Sequence, residues 1–157
     1  MFRLSQLILI SSLCANIIAA KGNLSADFLA HEAALVVRAT VDSKTVKRDA
    51  EKRIVTEVEL RISETWKGKA PGKTLTLIHP GGVLGEEIAV ASGQPTYQIN
   101  EEVILFLAPN DRGQFVTIGV GNGKFHVNNS GTKATAANSY LAPVSVSELK
   151  GIVSKNQ

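Results

Sequence analysis

Residues 54–66 read IVTEVELRISETW, and this stretch decides the fold class. Apolar side chains recur at every second position, as at Val58, Leu60 and Ile62, while charged side chains take most of the positions between them. This period of two predicts a β-strand with one buried face. At about 3.3 Å per residue, 13 residues in a straight strand would reach roughly 43 Å. A strand longer than a small domain is wide must bend or coil, as strands in closed barrels do.

The segments on either side carry related patterns. Residues 34–41 (ALVVRATV) alternate in the same way, whereas residues 42–53 are highly charged and suit an exposed connection or frayed strand ends. Residues 103–108 (VILFLA) are apolar on both faces, which is typical of a central strand covered on both sides. Shorter strands are predicted at 73–79, 88–90, 114–121 and 124–127.

Turn and helix signals complete the pattern. Asn122-Gly123 lies between two strand segments and predicts a hairpin, and the small polar residues at 128–139 predict a loop. Ser25 is placed to cap a short first helix, and Ser145 begins a capping box ahead of a C-terminal helix. About seven strands with a short helix near each terminus predict an all-β barrel or sandwich.

The N-terminus predicts export. A positive charge at Arg3 precedes a 14-residue apolar run at 7–20 (LILISSLCANIIAA) that ends in small residues. This is the pattern of a signal peptide cleaved after Ala20 or Gly22, and the run is shorter than the roughly 20 residues of a membrane-spanning helix. The predicted organisation is a signal peptide at 1–20 and one β-barrel domain at 21–157, with its core at about 33–128 and a C-terminal loop and helix at 129–157.

Removal of this segment would leave a domain without cysteine. Cys14, the one cysteine of the chain, lies inside the apolar run, and the preceding Leu13 does not fit a lipoprotein signal. The exported domain would have no thiolate for disulfides, metal binding or nucleophilic catalysis. The formal charge of +3 falls to +2 once Arg3 leaves, and this small excess does not predict a nucleic acid or an anionic membrane as partner.

The order of the segments resembles that of a known family. Residues 26–127 contain, in order, ALVVRATV, the strand end ETWKG, the loop LTLIHPGG, the strand INEEVILFL and the motif GNGKF. This arrangement is similar to that of small secreted bacterial domains, which in turn resemble the netrin-like module of the tissue inhibitors of metalloproteinases. The resemblance implies an OB-like, netrin-like barrel in a periplasmic or secreted protein, with binding of a protein or ligand as its commonest use. Those inhibitors reach the zinc of their target through an N-terminal cysteine held by a disulfide, which this domain lacks, so inhibition by that mechanism is not expected.

The stretch HPGGVLGEE at 79–87 is the main candidate site. In the simplest interpretation, proline and glycine turn the chain at a barrel corner and the glutamates are solvated. A recognition loop is the second alternative, since loops on rigid scaffolds often carry binding sites. A metal site is the third, with His79 and Glu86 or Glu87 completed by His31 or His126. With the connection at 93–100 included, the candidate binding residues are His79, Gly81, Gly82, Glu86, Glu87 and Tyr97.

Other motifs favour structural roles. Residues 119–124 (GVGNGK) resemble a phosphate loop, but such loops lead into a helix and here a strand follows. The pairs Glu86-Glu87 and Glu101-Glu102 point to opposite faces of an extended chain, so they are expected to be solvated at strand ends. No G-x-S-x-G motif marks a catalytic serine. Core positions account for Phe28, Trp66, Phe106, Phe115 and Phe125, which leaves Tyr97 and Tyr140 as loop aromatics.

These observations favour an exported, non-enzymatic domain that binds an extracytoplasmic protein or a ligand through its barrel loops. Two alternatives remain open: a metal-dependent or hydrolytic enzyme that uses His79 with Glu86 or Glu87, and a structural component of the cell envelope. No motif predicts a cofactor, a catalytic residue or a nucleic-acid partner, and the oligomeric state is not predicted.

Overall fold

The computed structural model describes residues 24–157 as a mostly β fold with a helix near each terminus. The predicted signal peptide, Cys14 and both predicted cleavage positions lie outside the described residues. The helices are α1 (Ala26–Glu32) and α2 (Val146–Lys155). The strands are β1 (Leu35–Arg48), β2 (Ile54–Lys67), β3 (Thr74–Pro80), β4 (Gly82–Leu84), β5 (Glu87–Ala89), β6 (Glu102–Pro109), β7 (Phe115–Thr117), β8 (Lys124–Asn128), β9 (Thr135–Ala137) and β10 (Val144–Ser145), and a 3-10 helix spans Val120–Gly123.

Five of the strands close into a barrel, which is one of the two architectures that the strand pattern predicts. Each is hydrogen-bonded to the next in the order β1-β2-β3-β7-β6, and β6 then pairs with β1 to complete the ring. The β3–β7 contact is parallel, at Leu77 opposite Phe115, whereas the other contacts in the ring are antiparallel. Outside the barrel, β8, β9 and β10 extend the sheet from β6.

The barrel has five strands rather than the predicted seven or so, and the described residues form ten strands in all. Strands of two or three residues, such as β4, β9 and β10, are too short to show an alternating pattern. For the same reason the loop predicted at 128–139 contains β9, which pairs with β8 and β10.

The two longest strands bend, as the length of β2 requires. Both have 14 residues, and their antiparallel register shifts at three places between Val36 and Ser43. Such bulges increase the local twist and let a strand coil around a barrel. β1 continues to Arg48, opposite Ile54, so most of the charged stretch at 42–53 belongs to strand ends.

Two apolar clusters lie on opposite sides of β6. Inside the barrel, Val103, Leu105 and Leu107 of β6 face alternate residues of β1, β2 and β3. On the outside, Ile104 and Phe106 pack under the two helices and against β8. β6 is therefore a central strand that is covered on both sides, as its apolar sequence predicts.

Both predicted helix starts are confirmed. The Ser25 hydroxyl accepts a hydrogen bond from the backbone N–H of Phe28, and the Ser145 hydroxyl accepts one from that of Glu148. These bonds satisfy backbone donors that have no partner inside the helix. Leu149 of α2 is fully buried in the outer cluster, which fixes the helix to the barrel wall.

An ionic network also connects α2 to the barrel. Lys150 Nζ donates to the Glu64 carboxylate of β2 at 2.6 Å, and the same carboxylate accepts hydrogen bonds from the Trp66 indole at 3.0 Å and from Arg38 at 3.1 Å. These donors, Lys150 first, lower the pKa of Glu64 to about 2. The carboxylate is therefore ionised in the folded protein at neutral pH.

The hairpin predicted at Asn122-Gly123 is wrong. Both residues lie in the 3-10 helix, and β7 and β8 each pair with β6 rather than with each other. A Cβ atom on Gly123 would lie 2.7–2.9 Å from backbone atoms of Phe106 and Ile118, so glycine is needed for close approach to β6. Asn122 is buried, and its side chain bonds two backbone groups. The Asn-Gly pair therefore contributes close packing and hydrogen bonds and does not form a two-residue hairpin turn.

Candidate functional site

The stretch HPGGVLGEE forms a small β-hairpin rather than a simple corner. His79 and Pro80 end β3, after which β4 and β5 pair only with each other in a separate two-stranded sheet. Gly85 and Glu86 form the tight turn between them, and Gly85 has a φ of 62°. A glycine at the first central position is what a type II′ hairpin turn requires. The three residues of β4 carry no alternating pattern, which is why the sequence does not reveal this strand.

The base of the hairpin lies directly against the barrel. Gly82 has a φ of 142°, and a Cβ atom there would lie 2.7 Å from Val46 Cγ1 and 2.8 Å from Thr56 Oγ1. The buried Thr56 hydroxyl donates to the carbonyl oxygen of Gly81 at 2.7 Å. Glycine at position 82 therefore lets the hairpin pack closely on β1 and β2.

An ion pair holds the second strand of the hairpin. Arg48 Nη2 at the end of β1 donates to both carboxylate oxygens of Glu87, at 2.5 and 2.6 Å. These bonds lower the pKa of Glu87 below its ordinary value. Glu87 remains largely exposed, so it is solvated as predicted. It also forms an ion pair with Arg48, which the sequence does not predict.

One face of the hairpin presents apolar side chains to solvent. Val83 lies opposite Ile88, so these two side chains are on the same side of the hairpin, and Val90 follows directly after the end of β5. Their exposed fractions are 59%, 72% and 87%, the three highest among the large hydrophobic residues of the described chain. Single exposed apolar residues are ordinary, whereas large contiguous apolar patches are typical of surfaces that contact another molecule. We call Val83, Ile88 and Val90 the hairpin face.

The proposed metal ligands do not converge. His79 lies at the end of β3, whereas Glu86 and Glu87 lie in the turn and at the start of β5. His31 is on α1 next to a glutamate of its own helix, and His126 is on β8. Among residues 24–157, no group of three or more His, Cys, Asp or Glu side chains is close enough to hold a metal ion.

Tyr97, predicted to be a loop aromatic available for binding, is buried. It is 3% exposed and belongs to the apolar cluster inside the barrel. Its ring stacks on His79 with 5.9 Å between centroids, and Lys124 Nζ lies 4.8 Å from the centre of the ring. Burial raises the pKa of Tyr97 and lowers that of His79. In the described chain, the Tyr97 hydroxyl has no hydrogen-bond partner.

A polar cluster that the sequence does not reveal lies beside Tyr97. The Glu101 side chain, only 9% exposed, accepts hydrogen bonds from Lys124 Nζ at 2.6 Å and from the backbone N–H of Gln98 at 3.0 Å, and it lies 3.1 Å from His126 Nδ1. Burial raises the pKa of Glu101, but the bonds from Lys124 and Gln98 outweigh that effect, so its pKa lies below the ordinary value. The expectation that Glu101 is solvated is wrong. One sequence signal could have indicated this cluster: Lys124 and His126 are two residues apart in a predicted strand, so their side chains lie on the same face.

Glu102 points to the other side of the strand, as adjacent residues of an extended chain must. Its carboxylate accepts a hydrogen bond from Arg38 Nε at 2.5 Å and another from the Asn129 side chain at 2.6 Å. The predicted opposite orientation of the two glutamates is confirmed, but Glu102 is tied into the barrel wall instead of being free in solvent.

An open pocket of about 450 Å³ adjoins the Glu101 cluster. Thr96, Lys124, His126 and Tyr140 are among the residues that line it. Lys124 does not form a phosphate cradle with the preceding glycines, because its ammonium group donates to the carbonyl oxygen of Thr96 and to Glu101.

The remaining aromatic residues divide between core and surface. Phe28, expected on the buried face of α1, is 46% exposed because the helix buries Leu29 and Ala30 instead. Tyr140 is 36% exposed beside the pocket. As predicted from their strand positions, Trp66, Phe106 and Phe125 are buried, and Phe115 is half-buried.

The chain matches no known protein-family model, and no curated protein shows significant similarity to it. In the part of the chain that the structure describes, no helix combines the length and the apolar character that crossing a bilayer would require.

Proposed function

We propose that this protein is an exported, non-enzymatic binding domain built on an OB-type barrel, and that it binds an extracytoplasmic protein through the hairpin face. The observation that carries the proposal is the exposure of Val83, Ile88 and Val90 on a hairpin that is packed firmly against the barrel.

The order of the barrel strands supports the OB-type assignment. OB barrels are five-stranded Greek-key barrels. Here three consecutive antiparallel strands, β1 to β3, are followed by β6, which returns to pair with β1. The resemblance in the segments ALVVRATV, HPGG and INEEVILFL supports the netrin-like variant of that barrel and the extracytoplasmic setting.

The shape of the hairpin favours a protein over a small molecule as the ligand. Sites for small molecules are concave and bury most of the ligand. The hairpin face is instead exposed on a sheet of two strands, which suits the broad surface of another protein. Complete burial of three such side chains would contribute roughly 3–6 kcal/mol before the costs of association, enough for the apolar centre of an interface.

Polar substitution of the hairpin face tests this function. The variant V83S/I88T/V90T keeps β-branched residues at 88 and 90, and F28S/Y140S removes two exposed aromatic residues elsewhere as a matched control. Each tagged protein is incubated with extracytoplasmic extract of its native host, and the bound proteins are quantified by mass spectrometry. We expect a partner that is retained by the wild type and the control and lost at least tenfold with the hairpin variant. Equal recovery with all three proteins would contradict the proposal.

Export has its own test. The full-length chain is produced in a bacterial host, and the intact mass of the protein in the extracytoplasmic fraction is measured. We expect a chain that begins at Lys21 or Asn23, whereas full-length protein retained in the cytoplasm would contradict export.

A further inference from the structure

The connection between β5 and β6 is attached to the barrel mainly through Tyr97. Residues 90–101 form the longest stretch without helix or strand in the described chain. Within residues 90–100, only Pro95 and Tyr97 are buried. Tyr97 is also the one aromatic member of the buried cluster inside the barrel, whose other members are aliphatic.

The buried hydroxyl of Tyr97 destabilises this closed arrangement. The side chain is 3% exposed and its oxygen has no hydrogen-bond partner among the described residues. A polar group removed from water without a partner loses its hydration and gains nothing in exchange. A phenylalanine at this position would fill the same space without that loss, so the hydroxyl is unexplained by packing alone.

Lysine side chains supply much of the remaining attachment. Lys44 Nζ donates to the carbonyl oxygen of Tyr97 at 2.5 Å, and Lys124 Nζ donates to that of Thr96 at 2.5 Å. Two backbone bonds join the end of the segment to β1: Asn100 N–H donates to the Val41 carbonyl oxygen at 2.8 Å, and Val41 N–H donates to the Glu101 carbonyl oxygen at 2.9 Å. Bonds from long side chains can break without disturbing the strand ladder of the barrel.

We propose that Tyr97 is a removable plug, and that the space its ring occupies inside the barrel is a binding site for a small uncharged aromatic or apolar molecule. The ligand enters when residues 93–100 move away from the barrel. The surroundings of the ring determine the ligand class. Aliphatic side chains of the buried cluster lie around the ring, His79 stacks on it and Lys124 Nζ lies 4.8 Å from its centre, and this combination suits an uncharged aromatic ring. This site is separate from the hairpin face and does not depend on the proposed protein partner.

The plug makes a quantitative prediction about affinity. When only the open form binds, the apparent dissociation constant is the intrinsic constant divided by the open fraction. Tyr97→Phe keeps the ring and removes the unpaired hydroxyl, so it should stabilise the closed form and weaken binding about tenfold. Lys44→Met removes one attachment and should tighten binding about fivefold.

The test uses 4-fluorophenol, which is close to the tyrosine ring in size. This probe is titrated into the wild type and the variants, and its binding is followed by fluorine NMR. Tyr140→Phe and Lys47→Met are matched controls, because Tyr140 is partly exposed and Lys47 pairs with Glu57 away from residues 93–100. We expect weaker binding with Tyr97→Phe, tighter binding with Lys44→Met and unchanged binding with the controls. No binding to the wild type, or equal binding to the wild type and Tyr97→Phe, would overturn the proposal.

Hydrogen exchange provides a readout that needs no ligand. We expect the amide of Asn100 to exchange faster than that of Val103 in the barrel core, and to slow about tenfold in Tyr97→Phe. If the Asn100 amide exchanges no faster than the Val103 amide, residues 93–100 do not open independently of the barrel. That result would refute the proposal that Tyr97 is a removable plug.

Discussion

Replacement of Gly82 by alanine should be among the most damaging small changes in the protein. Gly82 has a φ of 142°, a region that costs a residue with a side chain about 1–3 kcal/mol. The added Cβ would also lie 2.7 Å from a Val46 methyl group and 2.8 Å from the Thr56 hydroxyl, and such overpacking costs about 1–3 kcal/mol. The free energy of unfolding should therefore fall by about 2–6 kcal/mol, unless the hairpin detaches from the barrel first.

Gly85→Ala is the matched control, because Gly85 also has a positive φ, of 62°, but a Cβ there would have no neighbour within 4 Å. It should cost only about 1–2 kcal/mol. Urea unfolding followed by Trp66 fluorescence gives both free energies, and hydrogen exchange of β4 and β5 shows whether the hairpin has detached. If Gly82→Ala is no more costly than Gly85→Ala and leaves the hairpin amides equally protected, the close packing of the hairpin on β1 and β2 is refuted.

Three further changes test the core and the ionic network. The Glu64 carboxylate has a pKa of about 2 in the folded protein against an ordinary 4.5, so its contribution to stability is present above pH 4.5 and lost as the pH falls towards 2. Urea unfolding across that range should therefore show a steeper loss of stability for the wild type than for Glu64→Gln; parallel curves would contradict the network. In the same assay, Gly123→Ala should lower the free energy of unfolding by about 3 kcal/mol, because the new Cβ would meet backbone atoms only. Gly72→Ala is the control, because a Cβ there would have no neighbour within 4 Å, and it should change stability by less than about 0.5 kcal/mol. Leu149→Ala should cost about 2–5 kcal/mol in thermal or urea unfolding, and a smaller loss would mean that α2 contributes little to the outer cluster.

The parts of the fold that depend on local patterns could be predicted from the sequence. The alternation at 54–66 locates β2, and the doubly apolar run at 103–108 locates β6, because each side chain reports the environment of its own position. The closure of the barrel through the parallel β3–β7 contact could not be read in this way. That contact pairs Leu77 with Phe115, and no local pattern specifies which distant strand a short strand will meet.

At the candidate site, too, local features could be predicted from the sequence and contacts between distant segments could not. The glycines of HPGGVLGEE predict a turn, and the structure has one, but two strands of three residues carry too little pattern to predict an exposed apolar face. Glu101 and Lys124 meet only because β6 and β8 pair side by side, with Val103 opposite His126. The burial of Tyr97 likewise depends on the path of residues 90–101 across the barrel, for which the sequence has no periodic signal.

Site-specific photo-crosslinking examines whether the hairpin face is where a partner binds. A photoreactive amino acid replaces Ile88 on the hairpin face or, as a control, the exposed Thr132, and the protein is irradiated in its native host. We expect one discrete crosslinked protein from position 88, absent from position 132 and lost when V83S and V90T are added. The same crosslinked products from both positions, or none from position 88, would contradict an interaction through the hairpin face.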